Sequence, residues 1–267
     1  MSVKLGQLID GGGETEVKGI LTDSRKVGKG DVFIAYKGVD VDGHDFIEKA
    51  IENGAGAVIG EKDLKLAIPY IMVENGRLAW ARMTAVWYGN PEKKLRFIGV
   101  TGTDGKTTTT NLIYQILKAD GRKVMMISTI NAVVGERIIE TGLHTSSPDP
   151  DEVWKLLDEA VKAGVTDVVL EVTSHALDQE RFGEIEFEVG VLTNLASDHL
   201  DYHKTIENYA LAKAKLFERS KVSVLNSKAN QLELFKKRAR GSVVLYRGEE
   251  AGGIKTSLPG EYNRENI

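Results

Sequence analysis

Short apolar runs alternate along most of the chain with longer stretches in which apolar residues recur at helical spacing. The apolar runs predict strands at Leu95–Val100, Val124–Ile127, Asp167–Val172, Val189–Leu192, Val222–Leu225 and Ser242–Tyr246. The stretches with helical spacing are Thr107–Lys118, Asp149–Ala163 and Thr205–Phe217. This order is typical of an α/β domain in which helices cover both faces of a parallel sheet. Ligands of such sheets bind at the carboxyl ends of the strands.

A smaller α/β unit is predicted before Asn90-Pro91, where a Gly-Asn-Pro sequence ends a helix over residues 78–88. Its other predicted elements are a strand at Phe33–Tyr36, a helix at Phe46–Asn53 that Gly54 closes, and a strand at Ala57–Ile59. We therefore expect two domains, at residues 1–90 and 91–267.

Composition narrows the function classes. The chain is 42% hydrophobic and 28% charged, which is typical of a soluble folded protein, and no apolar run approaches the ~18 residues of a membrane helix. No apolar signal core follows Met1, so a cytoplasmic location is expected. The absence of cysteine excludes disulfides, thiolate metal sites and cysteine nucleophiles. A net charge of −4 argues against a nucleic-acid surface, and the basic cluster at residues 236–240 is expected at a helix C-terminus.

The strongest local signal is a glycine-containing loop between a predicted strand and a predicted helix. It comprises Gly102, Thr103, Asp104, Gly105, Lys106, Thr107 and Thr108. Glycines let backbone N–H groups approach phosphate oxygens, and the helix N-terminus adds its positive end. Lys106 would contact the β- and γ-phosphates and Thr107 would contact Mg²⁺. Val100 stands where the longer form of this motif has glycine, so only the shorter Gly-x-x-Gly-Lys-Thr form is met. The loop predicts ATP and Mg²⁺ binding.

Acidic and histidine residues follow two further strands. Glu171 ends one apolar strand, where a carboxylate either binds Mg²⁺ or faces solvent. The run from Thr193 to His203 contains two aspartates, two histidines and an asparagine, and such a cluster at the ligand edge of a sheet favours a functional role. Lys213 and Lys215 lie on the next helix, and nothing in the local pattern distinguishes either from a solvated lysine.

Several motifs together resemble a known family. The segments TGTDGKTTTT, LEVTSHALDQERF, VLTNLASDHLDYH and YALAKAKLF resemble the central domain of the Mur ligases, and most of all the tripeptide synthetases of that family. The segment TDSRKVGKGDVFIAYKGVDVDGHDFIEKAIENGAGAVI resembles their UDP-binding first domain. The resemblance implies an ATP-dependent amide ligase of peptidoglycan precursor synthesis. It would add the third amino acid to UDP-MurNAc-L-Ala-D-Glu through an acyl phosphate.

The resemblance also implies roles for individual residues. Lys106 and its loop would hold the ATP phosphates, and Thr107 with Glu171 would hold one Mg²⁺. His199 and Lys213, the latter as a carbamate, would serve a second metal ion. Lys106, Glu171, His199 and Lys213 form the expected catalytic set. The expected contacts to the UDP-MurNAc-dipeptide are Ser24, Ser146, Ser147, Thr173, Gln179 and Arg181.

The sequence departs from the family pattern at several positions. Asp104 stands where asparagine is commoner, two serines replace a threonine pair at 146–147, Thr173 replaces a serine, and Val39-Asp40 replaces polar uridine contacts. Leu258–Asn263 resembles the motif that closes the central domain, and the chain stops at Ile267. The third domain with the amino-acid site is thus expected to be missing, and activity would need a separate C-terminal domain as partner. The sequence does not show whether the third amino acid is diaminopimelate or lysine.

Two alternatives remain. The chain could be a truncated, non-catalytic nucleotide-binding module of the same family. It could also be a folylpolyglutamate or cyanophycin-type synthetase, although the DSR…GD.F…DGH pattern of the first domain argues against that assignment. The expected partners are the UDP-MurNAc-dipeptide and an amino acid, with no role for nucleic acid or membrane.

Overall fold

The chain forms two compact units, Met1–Asn90 and Pro91–Ile267. The computed structural model describes residues 2–140, 147–248 and 266. Two sequence features, Ser146 and the Leu258–Asn263 motif, therefore lie outside the described residues.

The N-terminal unit is built on a four-stranded parallel sheet in the order β3-β4-β5-β6. These strands are β3 (Ile20–Leu21), β4 (Val32–Ile34), β5 (Ala57–Gly60) and β6 (Tyr70–Met72). Its helices are α1 (Leu5–Leu8), α2 (Ile47–Glu52) and α3 (Gly76–Trp87). A separate antiparallel pair is formed by β1 (Val3–Lys4) and β2 (Glu16–Val17).

Side-chain alternation along β4 gives this unit a core on each face of its sheet. Ile34 packs with Trp80 and Met83 of α3 in one cluster. Phe33, its neighbour in sequence, packs with Ile47 of α2 in the other cluster. The helix over residues 46–53 is confirmed, and Gly54 beyond it has φ 106, the left-handed conformation that favours glycine.

The second unit is an eight-stranded sheet in the order β10-β9-β8-β11-β7-β12-β13-β14. Its strands are β7 (Arg96–Thr101), β8 (Val124–Ile127), β9 (Asn131–Val134), β10 (Arg137–Glu140), β11 (Asp167–Glu171), β12 (Phe187–Leu192), β13 (Ser220–Asn226) and β14 (Ser242–Tyr246). Its helices are α4 (Lys106–Ala119), α5 (Pro150–Lys162), α6 (Ser174–Asp178), α7 (Leu200–His203), α8 (Ile206–Glu218) and α9 (Leu232–Arg238). Every strand predicted for this unit is present.

The predicted parallel sheet is confirmed from β8 to β14, and an antiparallel hairpin extends it at one edge. Strands β9 and β10 form an antiparallel hairpin, and β9 also runs antiparallel to β8. The hairpin was not predicted because its strands are only four residues long. The turn signal was Gly135, which has φ 62 between the two strands. The parallel order holds from β8 to β14, which is the part that positions the site.

Apolar packing fixes the helices on this sheet. Tyr114 of α4 packs with Val100, Met126 and Val169, which come from β7, β8 and β11. On other helices, Trp154 of α5 and Phe217 of α8 are almost fully buried. Each such side chain contributes about 2–3 kcal/mol of burial free energy. In the described part of the chain, no helix has the length and apolar character needed to cross a membrane.

The basic cluster near residue 238 lies at the end of α9, as predicted from the helix dipole. Three of its four cations form ion pairs: Lys236 with Glu233, Arg238 with Glu218, and Arg240 with Glu186. These local ion pairs explain the basic residues as part of the structure around the end of α9.

Candidate active site

The strand register brings three loops to one edge of the large sheet. Glu171 at the end of β11 pairs with Val100 of β7, and Leu192 at the end of β12 pairs with Thr101. The loops that follow β7, β11 and β12 are therefore neighbours. They contain the glycine loop, Thr173 with its flanking residues, and the segment from Thr193 to His203.

The glycine loop leads directly into α4. Gly102 has φ 155 and Gly105 has φ 76, which are conformations that L side chains rarely adopt. The first intrahelical bond is donated by the Thr109 N–H to the Gly105 carbonyl, at 2.9 Å. The N–H groups between these residues precede that bond, and together with the helix dipole they suit an anion. The Lys106 Nζ folds back and donates to the Thr103 carbonyl at 2.7 Å.

Thr107 and Glu171 meet behind this loop. The Thr107 hydroxyl donates to Glu171 Oε2 at 2.9 Å, and the N–H and hydroxyl of Thr129 lie 3.3 and 3.4 Å from the same carboxylate. Glu171 is 2% exposed. In the described ranges, no basic side chain is within ion-pair distance of it. A buried carboxylate beside a hydroxyl offers hard oxygen donors of the kind that Mg²⁺ prefers.

The protein groups alone do not make a complete metal site. Among residues 2–140 and 147–248, no group of three or more histidine, aspartate or glutamate side chains is arranged to hold an ion. The Thr107–Glu171 pair supplies two donors, which is the number that Mg²⁺ often takes from protein when substrate phosphates and water supply the rest.

Lys213 is buried against the glycine loop. Its side chain is 1% exposed, its Nζ donates to the Gly102 carbonyl at 2.6 Å, and it lies 4.4 Å from the centroid of the Tyr209 ring. Burial, reinforced by the Lys106 ammonium, holds the pKa of the Lys213 amine well below its ordinary value. Lys215, two residues on, instead forms an ion pair of 2.7 Å with Glu180. Of these two lysines, Lys213 is thus the one whose surroundings favour the neutral amine.

Histidine and tyrosine rings gather next to Lys213. The ring centroid of His175 lies 4.7 Å from that of His199, 4.4 Å from that of Tyr202 and 5.4 Å from that of His203. His203 Nε2 lies 3.0 Å from the Ser174 hydroxyl. Burial, followed by the neighbouring His175, lowers the pKa of His203 to about 4. Burial also lowers the pKa of His175, and it raises the pKa of Tyr209 to about 12.

The low pKa of His203 predicts an acid-sensitive fold. Between pH 6.5 and 4 the unfolded state binds a proton on this residue that the folded state does not, so stability rises with pH across that window. Acidification from pH 6.5 to 4 should lower the free energy of unfolding less in His203→Gln than in the parent, by up to about 3 kcal/mol. The glutamine keeps a hydrogen-bonding group near Ser174. Urea unfolding at pH 4.5, 5.5 and 6.5 measures this. Equal pH dependence in parent and variant would contradict the assignment.

Four of the predicted substrate contacts lie together. The Ser147 hydroxyl donates to the Glu171 carbonyl at 3.2 Å and lies 3.4 Å from the Thr173 hydroxyl. The Arg181 guanidinium donates to the Ser147 carbonyl, to Gln179 Oε1 at 2.9 Å and to Asp149 at 3.1 Å. A half-buried guanidinium beside two hydroxyls suits a carboxylate or phosphate ligand.

Ser24 belongs to the N-terminal unit and is described there. It lies in a 3₁₀ turn, Ser24–Lys26, whose first N–H groups are capped by Asp23. The turn lines a pocket of about 570 Å³ together with Tyr36, residues 38–41 and Phe46. Hydrogen bonds from Arg25 lower the pKa of Asp23 to about 2. The predicted uridine contact therefore borders a cavity, and Val39-Asp40 lines it as well.

Sequence reasoning did not single out several residues that the structure brings into the site. Thr129 reaches Glu171 from the loop after β8, Tyr209 stacks on Lys213, and Asn194 binds the glycine loop. Asn194 was within the polar run that follows β12. Its position immediately after a central strand, beside a phosphate-loop motif, was the signal that could have identified it.

Comparison with known proteins agrees with both units. Residues 100–252 match the model of the Mur ligase middle domain, and residues 16–95 match the model of the Mur ligase family, catalytic domain. Relatives from Bacillus cereus and Aquifex aeolicus are 39% and 43% identical over 240 and 234 residues, in each case 86% of this chain and 48% of the relative. Both are named UDP-N-acetylmuramoyl-L-alanyl-D-glutamate--2,6-diaminopimelate ligase. The chain spans about half the length of these relatives.

Solved structures agree as well. A structure of a ligase with that same name matches with a TM-score of 0.77 at 31% identity, covering 92% of this chain and 53% of its own. MurF from Thermotoga maritima, in complex with ADP, matches with a TM-score of 0.52 at 26% identity, covering 87% of this chain and 51% of its own. From these matches and the site geometry, the chain belongs to the Mur ligase family.

Proposed function

We propose that this chain supplies the uridine-nucleotide-binding and ATP-binding portions of a ligase that adds an amino acid to UDP-MurNAc-L-Ala-D-Glu in peptidoglycan synthesis. The observation that supports it most is the hydrogen bond of Thr107, at the start of the phosphate-loop helix, to the buried Glu171, with Lys213 bound to the Gly102 carbonyl of the same loop. The names of the relatives favour 2,6-diaminopimelate as the amino acid. The match of residues 16–95 to a Mur ligase model argues against a folylpolyglutamate-type ligase.

The proposed reaction begins with activation of a carboxylate, which is a poor electrophile until it has a leaving group. A carboxylate oxygen of the dipeptide forms a bond to the γ-phosphorus of ATP, and the bond from that phosphorus to the bridging oxygen breaks to release ADP. The amine of the incoming amino acid then bonds to the acyl carbon, loses a proton, and inorganic phosphate leaves. One amide, one ADP and one phosphate result.

The residues of this chain would position the reactants. The N–H groups at the start of α4 and the Lys106 ammonium would hold the phosphates against the sheet edge. Ser147, Thr173 and Arg181 would orient the dipeptide carboxylate toward the γ-phosphate. Thr107 and Glu171 fit a Mg²⁺ ion, which when bound neutralises negative charge on the phosphate oxygens.

Lys213 and His199 would complete the site. A neutral amine adds to CO₂ to form a carbamate, which converts a buried lysine into an anionic oxygen ligand, and the low pKa of Lys213 favours that reaction. His199, whose Nε2 lies 3.4 Å from Asp198, would serve the second metal ion with this carbamate. Direct detection of the carbamate by ¹³C NMR in ¹³CO₂-equilibrated buffer, absent in Lys213→Ala, tests this assignment.

The substrate assignment is tested by isothermal calorimetry with UDP-MurNAc-L-Ala-D-Glu. We expect the parent chain to bind it. Arg181→Ala should bind it at least tenfold more weakly, because the charge-assisted hydrogen bonds of the guanidinium are lost. The affinity of Arg181→Ala for ADP should stay within twofold of that of the parent. Lys221→Ala, which removes an exposed cation paired with Glu188, is the matched control. Parent chain that binds no uridine nucleotide would overturn the proposal. Binding of both ligands without phosphate release, even when the C-terminal region of a relative is added, would favour the non-catalytic module.

The acidic residue in the phosphate loop gives a separate expectation. Asp104 is exposed and places a negative charge beside the proposed phosphates. We expect Asp104→Asn to tighten binding of ATP analogues two- to fivefold at low salt, about 0.5–1 kcal/mol, and less at 0.5 M salt. Calorimetry at two ionic strengths measures both values. Equal affinities for parent and variant at low salt would show that this charge does not act on the ligand.

A further inference from the structure

The first half of the phosphate loop is bound to the segment that follows β12. Asn194 Oδ1 accepts hydrogen bonds from the N–H groups of Thr103 and Asp104, at 3.0 and 2.8 Å. The Asn194 carbonyl also accepts from the Thr103 N–H, at 3.2 Å. The protein itself therefore satisfies two consecutive N–H groups of a loop that was predicted to bind phosphate along its whole length.

Thr193 adds a second connection at the same place. Its hydroxyl lies 2.6 Å from the Asp104 carbonyl, to which it donates, and a Cβ atom on Gly102 would overlap that hydroxyl. The first glycine of the loop is thus required by the close approach of Thr193. Asn226 of β13 donates to the Thr193 carbonyl at 2.7 Å, so the connection continues into the sheet.

The second half of the loop is organised differently. Gly105 is the residue before α4, and the helix makes its first internal bond at Thr109. The N–H groups of residues 105–108 precede that bond, at the positive end of the helix dipole. The loop is therefore divided: its first half is bound by Asn194 and Thr193, and its second half faces the sheet edge.

We propose that Asn194 is a positioning residue for nucleotide, which fixes residues 102–104 so that the N–H groups of residues 105–108 are held in place for the phosphates. This inference rests on the proposed ATP binding. The physical reason is that two conformationally free glycines, Gly102 and Gly105, flank residues 103–104, and the hydrogen bonds from Asn194 restrict that freedom before nucleotide binds.

A different role for the same contact makes the opposite prediction. If the Asn194 oxygen occupied the N–H groups as a substitute for phosphate and left when nucleotide bound, its removal would free two donors and tighten binding. If Asn194 holds the loop in its binding conformation, its removal lets the loop relax, and nucleotide must then restore the order at a cost in affinity.

The experiment measures ADP·Mg²⁺ affinity by calorimetry for the parent, Asn194→Ala and Asn230→Ala. Asn230 donates to the Leu195 carbonyl at 2.9 Å, so its variant loosens the same segment without touching the phosphate loop. We expect a loss of at least tenfold for Asn194→Ala and less than twofold for Asn230→Ala. Unchanged or tighter binding by Asn194→Ala, or an equal loss in both variants, would overturn the proposal.

Amide hydrogen exchange separates this inference from the proposed function. The Asp104 amide, whose acceptor is the Asn194 side chain, is expected to be protected in the nucleotide-free parent, exposed in Asn194→Ala, and protected again in Asn194→Asp, which keeps an acceptor oxygen at this position. The Thr103 amide also donates to the Asn194 backbone carbonyl and is expected to keep part of its protection in every variant. If the parent binds no ADP, the proposed function fails, and so does the role of Asn194 toward nucleotide. If, in that case, amide protection is still lost only in Asn194→Ala, Asn194 has a structural role in the loop and no role toward nucleotide.

Discussion

Replacement of Lys213 by methionine is expected to raise the free energy of unfolding by about 2 kcal/mol at pH 7 in CO₂-free buffer. The side chain is 1% exposed, and its bonding partner is a carbonyl, not a carboxylate. Methionine fills a similar volume without an amine that has to be desolvated. The same substitution is expected to abolish ligase turnover in an assay that includes the C-terminal region of a relative, because a thioether cannot form a carbamate.

The stabilisation should depend on pH in a defined direction. The folded-state pKa of Lys213 is depressed, so between that pKa and about 10.5 the unfolded state binds one more proton than the folded state. The stability of the parent therefore rises with pH, by at most about 1.4 kcal/mol per pH unit from this residue. The advantage of Lys213→Met should shrink between pH 7 and 9, a window above the His203 titration. Lys215→Met, which leaves Glu180 with Arg219 alone, is expected to destabilise the chain instead.

Urea unfolding of the three proteins at pH 7, 8 and 9 provides the measurement. A Met variant that is less stable than the parent at all three values would mean that Lys213 is charged and well solvated in the folded state. Carbamate formation would then have no buried neutral amine to act on.

The second large effect is expected on nucleotide affinity when the Lys106 ammonium is removed. We expect Lys106→Ala to lower the affinity for Mg²⁺-bound ATP analogues by on the order of 100-fold, because a charge-assisted contact to two phosphates is lost at the helix N-terminus. The free energy of unfolding should change by less than about 0.5 kcal/mol. Lys106 is half-buried and its bonding partner, the Thr103 carbonyl, stays near solvent in the loop.

Lys118→Ala is the matched control, since Lys118 lies on the same helix one residue from its C-terminal end and is exposed. Calorimetry with a non-hydrolysable ATP analogue compares the variants, and thermal unfolding checks their stability. Similar affinities for Lys106→Ala and Lys118→Ala would place the nucleotide elsewhere in the molecule.

Local patterns predicted the parts of the fold that depend on local physics. The strand, glycine loop and helix around Lys106 follow from apolar spacing and backbone freedom, and all three are present. The position of Glu171 at a strand end required only that the sheet be parallel, which it is from β8 to β14. The short β9–β10 hairpin was missed because four alternating residues give too weak a period.

The positions of Lys213, Lys215 and Asn194 depend on long-range packing, which the local sequence pattern does not show. Lys213 and Lys215 are both flanked by alanine or leucine on one helix, yet one is buried on Gly102 and the other pairs with Glu180. Which face of α8 meets the sheet depends on residues more than 100 positions away in sequence. Asn194 was one polar residue among several in its run until the register of β12 on β7 placed it against the loop. The roles carried over from the family for all of the individual site residues stay predictions.

The most direct test of the account is calorimetric titration of this 267-residue chain with a non-hydrolysable ATP analogue, with and without Mg²⁺, beside Glu171→Gln. Glutamine keeps the shape of the buried side chain and removes its charge. We expect binding that Mg²⁺ strengthens at least tenfold in the parent and less than twofold in Glu171→Gln. Absence of binding by the parent, or an equal Mg²⁺ effect in both proteins, would contradict the assignment of the sheet edge as the site of ATP and its metal.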